Sequence, residues 1–564
     1  MITHFAKIFP LLLWTLVASS AASAPLGSLS AEALEYALGA TGKEASSAKS
    51  NAERSCSDLS TLRSTDLLTA LTELYQDNEH RPLWQDPQRL SELKRELEQL
   101  DDDGLERRDY RFALQATAPM DYCAELRVSS QYLLALEHLS RGRLVQSDHE
   151  PLWQADMLPS VSVAAVSTFA MTGLAENIAA AFEKARPGLP AYRNLRAAYA
   201  ATDRHASSRP DVPSGPLLRP GMSDERVGLI AKLLQQDGFL SEAETTTQVY
   251  DQALEQAVRR FQASHGLQVD AIIGPQTLSE MNVSPAQRVR QMQVNLERLR
   301  WINALRSDYL LLVNVASGHI QLLRGNDPIW QARAQTGRPS RPTPLLVSRI
   351  NRISLNPSWT VPPTILREDT LPQIRRNPDY LDEHNMLALD TQGNRLDPQQ
   401  INWNNPRGVI LRQQPGPSNP LGQLVFRLPN PFSIYLHDTP SQHLFQQANR
   451  NLSSGCVRVE AAEALADHLM AELSDSQRER IAEQLASGQT HEISLTNGPQ
   501  VIIAYWTAFA DAEGRAAFVP DRYGLDRAIE AALADLQNVH GMSHSMDIAA
   551  LALQSEAGCA FSES

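Results

Sequence analysis

The run Ile434-Tyr435-Leu436-His437 ends on an imidazole, and Cys456 follows nineteen residues later within Ser453-Ser454-Gly455-Cys456-Val457-Arg458. A thiol must become a thiolate before it attacks a carbonyl. An imidazole can take that proton and later deliver it to a leaving amine. Nineteen residues suffice for a loop and a return segment that brings the two side chains together. Gly455 lets the backbone approach closely, and successive N–H groups around Gly455 and Cys456 would form an oxyanion hole. Arg458 would lower the thiol pKa or bind a substrate carboxylate. Residue type alone leaves other roles open. Cys456 also suits half of a disulfide or a small buried apolar residue, and a metal site can be drawn from His437, His443, Cys456 and His468. Those spacings match no compact zinc pattern. His443 lies in a polar, helix-like run and reads as a surface residue. His540 and His544 fall in a tail that reads as disordered.

The elements that must hold this pair are strands. From Tyr309 the sequence YLLLVNVASGHIQLLRGNDPIWQARAQTG has three short apolar runs split by Ser317-Gly318 and Gly325-Asn326-Asp327, the pattern of a strand meander. Further strand-like runs are Val409 to Arg412, Gln423 to Arg427, Ser433 to Leu436 and Gln500 to Trp506. Residues 309–510 therefore read as a mainly β domain. Residues 368–408 interrupt it with a polar, helix-prone insertion, and a segment of that length in a compact domain suits a lid over the site.

Upstream the pattern is helical. Leu67, Leu68, Leu71, Leu74 and Tyr75 share a helix face, and Leu90, Leu93, Leu97 and Leu100 repeat the signal, as do Leu133, Leu134, Leu136 and Leu139 less cleanly. Residues 59–202 read as a helical scaffold in which Trp84 and Trp153 are core or domain-contact anchors. The proline- and serine-rich 203–220 stretch reads as a linker. A small helical module follows over 221–284, with Asp251 as N-cap of a helix carrying Leu254, Ala257, Val258 and Phe261 on one face. Ser284 caps the next helix and Pro285 opens it, so 285–308 reads as a connecting helix with Val289, Met292, Leu296 and Leu299 aligned.

The first 24 residues have the three parts of a secretory signal peptide: Lys7, an apolar run from Ile8 to Val17, and Ala22-Ser23-Ala24. Residues 25–58 read as a flexible leader, 511–538 as a C-terminal helical extension and 539–564 as a disordered tail. In an exported chain Cys56 and Cys123 are candidates to pair, while Cys559 has no evident role. The 564 residues are 42% hydrophobic and 21% charged, which excludes a disordered chain, a collagen and a polytopic membrane protein. With 65 acidic and 51 basic residues the net charge is −14, which argues against a nucleic-acid binder acting through phosphate neutralisation.

Two stretches resemble known families. Tyr250-Asp251, Ala257-Val258, Phe261-Gln262, His265-Gly266-Leu267, Asp270, Gly274 and Thr277 resemble the small helical peptidoglycan-binding domain of bacterial wall enzymes. The runs TGRPSRPTP, ISLNPSWTVPPTIL, RQQPGPSNPLGQLVFRLPN, IYLHDTP and SSGCVR resemble the L,D-transpeptidase catalytic domain of peptidoglycan synthesis. The likeness is densest to the large Gram-negative members, which also carry a helical scaffold, a peptidoglycan-binding module and a capping insertion. The fold this implies is a multidomain α + β chain: N-terminal helical scaffold, small helical peptidoglycan-binding module, and mainly β catalytic domain with a capping insertion.

The resemblance implies Cys456 as nucleophile and His437 as general base and acid. Tyr435 would sit near the oxyanion site, backbone N–H groups near Ser454, Gly455 and Cys456 would hold the oxyanion, Arg458 would steady the loop or a carboxylate, and Trp359 would line the substrate groove. Asp438 stands where many relatives have glycine, and Ser454 where many have histidine. The third triad element in the family is usually a backbone carbonyl, so the first departure need not break it. The implied reaction takes a tetrapeptide-stem donor, releases D-alanine and joins two diaminopimelate residues, with no cofactor, in the periplasm, possible inner-membrane association included. Its partners would be peptidoglycan stem peptides and glycan, with other wall-synthesis enzymes as further candidates and no nucleic acid. Rival readings are a non-catalytic wall-binding scaffold, a sortase-like enzyme and an L,D-carboxypeptidase that uses water as acceptor.

Overall fold

A computed structural model describes residues 65–112, 120, 122–155, 165–202, 209–241, 248–303, 305 and 307–536. The expected signal peptide, the expected leader with Cys56, and the expected tail with His540, His544 and Cys559 lie outside the described residues. The chain divides into two compact units, one of Met1–Leu97, Tyr110–Ala135 and Ala164–Ala181, the other of Glu98–Asp109, Leu136–Val163 and Phe182–Ser564.

The leucine stripes become the helices Thr65–Asp77, Pro87–Gln99 and Tyr122–Arg141, of which residues up to 97 and 122–135 lie in the first unit. Leu71, Leu74, Tyr75, Leu93 and Trp84 are buried. The Trp84 indole donates to Ser129 Oγ at 2.8 Å and meets Tyr132 edge-on. Trp84 is thus a core anchor, because a buried indole N–H needs a partner and has one. Cys123 is disulfide-bonded, and Cys456 is the free cysteine among the described residues.

The second unit is built on a curled sheet. Its strands begin with β1 (Trp153–Gln154), β2 (Tyr309–Asn314), β3 (His319–Arg324), β4 (Asp327–Gly337), β5 (Leu346–Arg349) and β6 (Arg352–Leu355). The insertion supplies β7 (Trp359–Thr360), β8 (Met386–Leu389) and β9 (Ile410–Gln413). The sheet resumes with β10 (Leu424–Arg427), β11 (Leu436–His437), β12 (Asn451–Ser453), β13 (Val457–Val459), β14 (His491–Ser494) and β15 (Gln500–Ala504), and β16 (Ala508–Ala510) and β17 (Ala516–Phe518) form a hairpin. The order is β1-β5-β15-β2-β3-β4-β13-β11-β10-β6-β14, with β12 paired to β4. The architecture is α + β.

Leu310 to Val313 of β2 and Val501 to Ala504 of β15 form unbroken apolar runs, as strands covered on both faces require. Leu311, Val313, Val501 and Ile503 join one core, closed by Leu465, Ala466, Met470 and Ile481 from the helices Ala462–Leu469 and Asp475–Ala486 and the turn between them. Leu310, Leu312, Ile502 and Ala504 face a second core, filled by helices Pro190–Ala201 and Pro285–Asn303. Ser284 caps the latter helix reciprocally with Gln287, as S-x-x-Q predicts.

Three differences from the sequence reading have clear causes. Helix Pro285–Asn303 is more than a connector: Val294 to Ile302 are all buried, charged residues included, because Arg298 pairs with Glu150 and Asp526 and Arg300 with Glu297. Trp153 lies on a strand, pairing parallel to Leu346 at the sheet edge, within a stretch expected to be helical. The insertion is longer than 368–408. β7 and β9 flank it, and its own core of Val361, Leu371, Ile374, Leu381, Met386, Ala388 and Leu411 makes it a small subdomain over 359–413. The expected strand at 409–412 belongs to this subdomain.

The peptidoglycan-binding-like module keeps its own core of Ile230, Leu234, Leu254, Val258, Phe261 and Ile273. Asp251 accepts from the Leu254 N–H at 2.9 Å as the N-cap of helix Gln252–Ser264. In the 511–538 stretch, β17 precedes a helix that begins at 526, so the extension opens as a hairpin.

Candidate active site

β11 and β13 are neighbours and parallel, with Leu436 opposite Val457 and His437 opposite Arg458. Leu436 and Val457 are fully buried in the core beneath. Strand alternation then turns Tyr435, His437, Cys456 and Arg458 to the other face. Cys456 faces Tyr435 across the pair, with His437 one diagonal step away.

Only Leu436 and His437 of the expected 433–436 run and its end are in the ladder. Ser433 has φ of 56°, and the Asn430 side chain satisfies both the N–H and the C=O of Ile434. A side chain therefore takes the place of the ladder just before the site.

His437 is buried, and its Nδ1 lies 2.5 Å from the Asp438 carbonyl. A carbonyl only accepts, so Nδ1 carries the proton and Nε2 the lone pair. The third element is thus a main-chain oxygen, indifferent to side-chain identity at 438. Burial and the nearby Arg458 guanidinium hold His437 down to about 3, against support from the Asp438 and Leu421 carbonyls.

Cys456 is partly buried, with Sγ 3.9 Å from the Ser433 carbonyl. Burial pushes its thiol up to about 11, although hydrogen bonding to Tyr435 and the charge of Arg458 pull the other way. Sulfur and imidazole are not directly hydrogen-bonded in this state. Both groups are neutral across physiological pH. For the sulfur to act as a nucleophile from this state, its proton would have to pass to Nε2 as it attacks.

The loop before Cys456 is braced on every side. Ser453 Oγ donates to the Cys456 carbonyl at 2.6 Å and accepts from the Gly455 N–H at 3.1 Å. Thr343 Oγ1 donates to the Gly455 carbonyl at 2.7 Å and accepts from the Gly337 N–H at 2.8 Å. Tyr523 OH donates to the Gly337 carbonyl at 2.5 Å and accepts from the Thr343 N–H at 3.1 Å. Gly455 has φ of 121°, a region reserved for glycine. Its N–H is turned inward to Ser453. The N–H groups of Ser454 and Cys456 make no hydrogen bond among the described residues.

Arg458 donates to Gln335 Oε1 at 3.1 Å from the facing strand β4. Its Nε and the Gln335 Nε2 are buried without partners. Tyr435 meets His437 edge-on with ring centres 5.9 Å apart. Trp359 is not brought to this group. It lies on β7 opposite Gln413 and packs, half-buried, against the core of the insertion. The signal at Trp359 is its apolar character, which its own subdomain absorbs. His443 is exposed on the turn Gln442–Gln446, and His468 lies on the helix Ala462–Leu469. Among the described residues no group of three or more His, Cys, Asp or Glu is placed to hold a metal ion.

The residues overlooked in the sequence are Ser453, Thr343, Tyr523, Gln335 and Arg341. Thr343 and Arg341 stand in the quoted TGRPSRPTP run, which is their one visible signal. Arg341 Nη1 donates to Ser454 Oγ at 3.0 Å, and its guanidinium also holds Glu368 and Asp369 of the insertion, each at 2.6 Å.

Comparison with known proteins matches residues 308–503 to the L,D-transpeptidase catalytic domain, 69–198 to the Scaffold domain and 223–281 to the "Putative peptidoglycan binding domain". A relative from Haemophilus influenzae named "Putative L,D-transpeptidase" is 36% identical over 259 residues, 45% of this chain and 51% of the relative. The chain thus spans about half the length of that curated relative. Among solved structures, an L,D-transpeptidase from Mycobacterium smegmatis aligns at 13% identity and TM-score 0.17 over 35% of this chain and 58% of its own. One from Stackebrandtia nassauensis aligns at 11% and 0.20 over 52% and 97%. TM-scores this low do not extend the likeness to the arrangement of the whole chain.

Proposed function

We propose that this protein, which carries an L,D-transpeptidase catalytic domain beside scaffold and peptidoglycan-binding domains, is a cysteine acyltransferase that cross-links peptidoglycan. Cys456 attacks the carbonyl of the diaminopimelate residue in a donor tetrapeptide stem, and its proton passes to His437 Nε2. The C–N bond to the terminal D-alanine breaks, and the departing amine takes that proton. The acyl group stays on sulfur as a thioester. The side-chain amine of a second diaminopimelate then attacks, gives a proton to His437, and leaves as a cross-link while the thiol is restored. Splitting one amide exchange in two replaces a difficult step by two easier ones.

The observation that carries this reading is the parallel pairing of β11 with β13, which presents His437 and Cys456 on one face. Ser454 and Cys456 N–H groups supply the oxyanion contact, and Tyr435 closes one side of the sulfur. The 359–413 subdomain, fastened to the Cys456 loop through Arg341, is the lid. Such substrates lie outside the cytoplasm, and no helix among the described residues is long and apolar enough to cross a membrane.

The test is incubation of the purified protein with diaminopimelate tetrapeptide muropeptides and mass analysis of the products. Cross-linked dimers with loss of one D-alanine are expected. Tripeptide monomers alone would mean that water is the acceptor and the enzyme is an L,D-carboxypeptidase. Unchanged muropeptides would leave only the scaffold reading.

A further inference from the structure

Arg341 is fixed between the Cys456 loop and the lid, and it is over-supplied with anions. Its side chain is 13% exposed and takes Asp369 through both terminal nitrogens, at 2.6 and 3.2 Å, and Glu368 through one, at 2.6 Å. One carboxylate would satisfy the fork. Both acids are about half exposed, at 45% and 46%, so water screens the pairs and either is readily exchanged. They sit on Leu366–Thr370, a turn of π-helix, a local irregularity frequent at functional sites. The same guanidinium touches Ser454, two residues before Cys456, and Pro342 turns its carbonyl toward Gly455.

We propose that Arg341 is the specificity-determining receptor for the free terminal carboxylate of the donor stem, and that Glu368 and Asp369 occupy it until substrate arrives. This rests on the acyl-transfer reading above. In that reaction the leaving residue is the last of its chain, so a carboxylate lies one residue beyond the bond that breaks. Two residues of extended backbone span at most about 7 Å, so Arg341 acting at Ser454 is on the right length scale from the sulfur. Arg458, the cation the sequence offered for a carboxylate, is half-buried and donates to Gln335 from the facing strand. Exchange of a lid carboxylate for the donor's makes release of the lid and registration of the stem one event. A stem without a free C-terminus leaves the clasp shut.

The test uses the full chain and two donors, a diaminopimelate tetrapeptide with a free C-terminal carboxylate and the same peptide as its carboxamide. Binding is measured by calorimetry on Cys456→Ala protein, so that the result does not depend on turnover. The free acid is expected to bind at least tenfold more tightly than the amide. Arg341→Gln should abolish that preference, Arg341→Lys should keep part of it, and Glu368→Gln with Asp369→Asn should tighten the acid several-fold and leave the amide unchanged. The Arg341→Gln protein should keep the parent's far-ultraviolet circular dichroism and urea midpoint, which separates recognition from collapse of the fold. Equal binding of acid and amide to the parent, or equal loss of both in Arg341→Gln, overturns the proposal. If acid preference is present but no D-alanine is released by the Cys456 protein, the receptor stands and the transfer reading falls.

Discussion

The side chain of Asp438 fills the space that a β-carbon at residue 422 would need: a Cβ there would lie 2.1 Å from Asp438 Oδ2 and 2.6 Å from its Cβ. Gly422 also has φ of 63°. Asp438 in turn accepts from the Gln423 N–H at 2.9 Å and supplies the carbonyl that orients His437. Asp438 is thus accommodated by a glycine on the facing turn. Gly422→Ala should lower donor turnover at least tenfold through displacement of His437. Adding Asp438→Gly should recover part of the loss, because it removes the clash and leaves only the positive-φ strain of about 1 kcal/mol. The readout is kcat for D-alanine release by both variants. Independent, additive losses would show that the two residues are not coupled.

Ser453 joins the two ends of the nucleophile turn. Ser453→Ala leaves the buried Gly455 N–H without an acceptor and frees the Cys456 carbonyl, a change on the order of 1–3 kcal/mol. Because the strain falls on the nucleophile and its N–H donors, kcat should drop by about ten- to a hundredfold with KM little changed. A variant that loses KM alone would place Ser453 in substrate binding instead.

Proton inventory follows from the two shifted groups. The His437 value lies below its ordinary 6.5 and the Cys456 value above its ordinary 9.0. The unfolded chain protonates that histidine as pH falls through 6.5 while the folded one waits until about 3, so stability from this group is lost on acidification across that window. The unfolded thiol ionises near 9 while the folded one waits until about 11, so stability from the cysteine is lost as pH rises between them. For activity, kcat/KM on the donor should show no limb centred near 6.5. Alkylation by iodoacetamide should be slow at about pH 7 and climb toward about pH 11. A bell with an acid limb at 6.5 would contradict a neutral buried pair.

Asp103 is fully buried and holds Arg186, Arg196 and the Tyr192 hydroxyl, while its carbonyl accepts from Arg300. Asp103→Ala leaves Arg186 and Arg196 only their longer contacts to Glu183 and Asp102 and strips the Tyr192 hydroxyl of its acceptor, a loss of about 3 kcal/mol. The urea midpoint followed by tryptophan fluorescence should fall markedly. An unchanged midpoint would show that water or a neighbouring acid replaces the carboxylate.

What the sequence makes legible here is local. Apolar runs at Tyr309–Asn314 and Gln500–Ala504 predict strands because each carries its own signal, and Asp251 and Ser284 announce their helices. Cys456 and His437 are visible as a chemical pair. Their placement depends on the pairing of two- and three-residue strands, which no periodicity can reveal. The braces from Thr343 and Tyr523 reach across 112 and 186 residues, so their roles exist only after folding. The setting of Trp359 is hidden for the same reason: an aromatic in a matching run does not disclose that the insertion has a core of its own.

The central claim is that Cys456 carries the acyl group with His437 as its proton carrier, and intact-mass spectrometry of the acyl-enzyme tests it most directly. On brief exposure to a tetrapeptide donor followed by acid quench, the protein should gain the mass of the donor less D-alanine, on a peptide containing Cys456. The adduct should vanish in Cys456→Ala and form far more slowly in His437→Ala. An adduct of undiminished yield in Cys456→Ala, or one mapped to another side chain, would contradict the account.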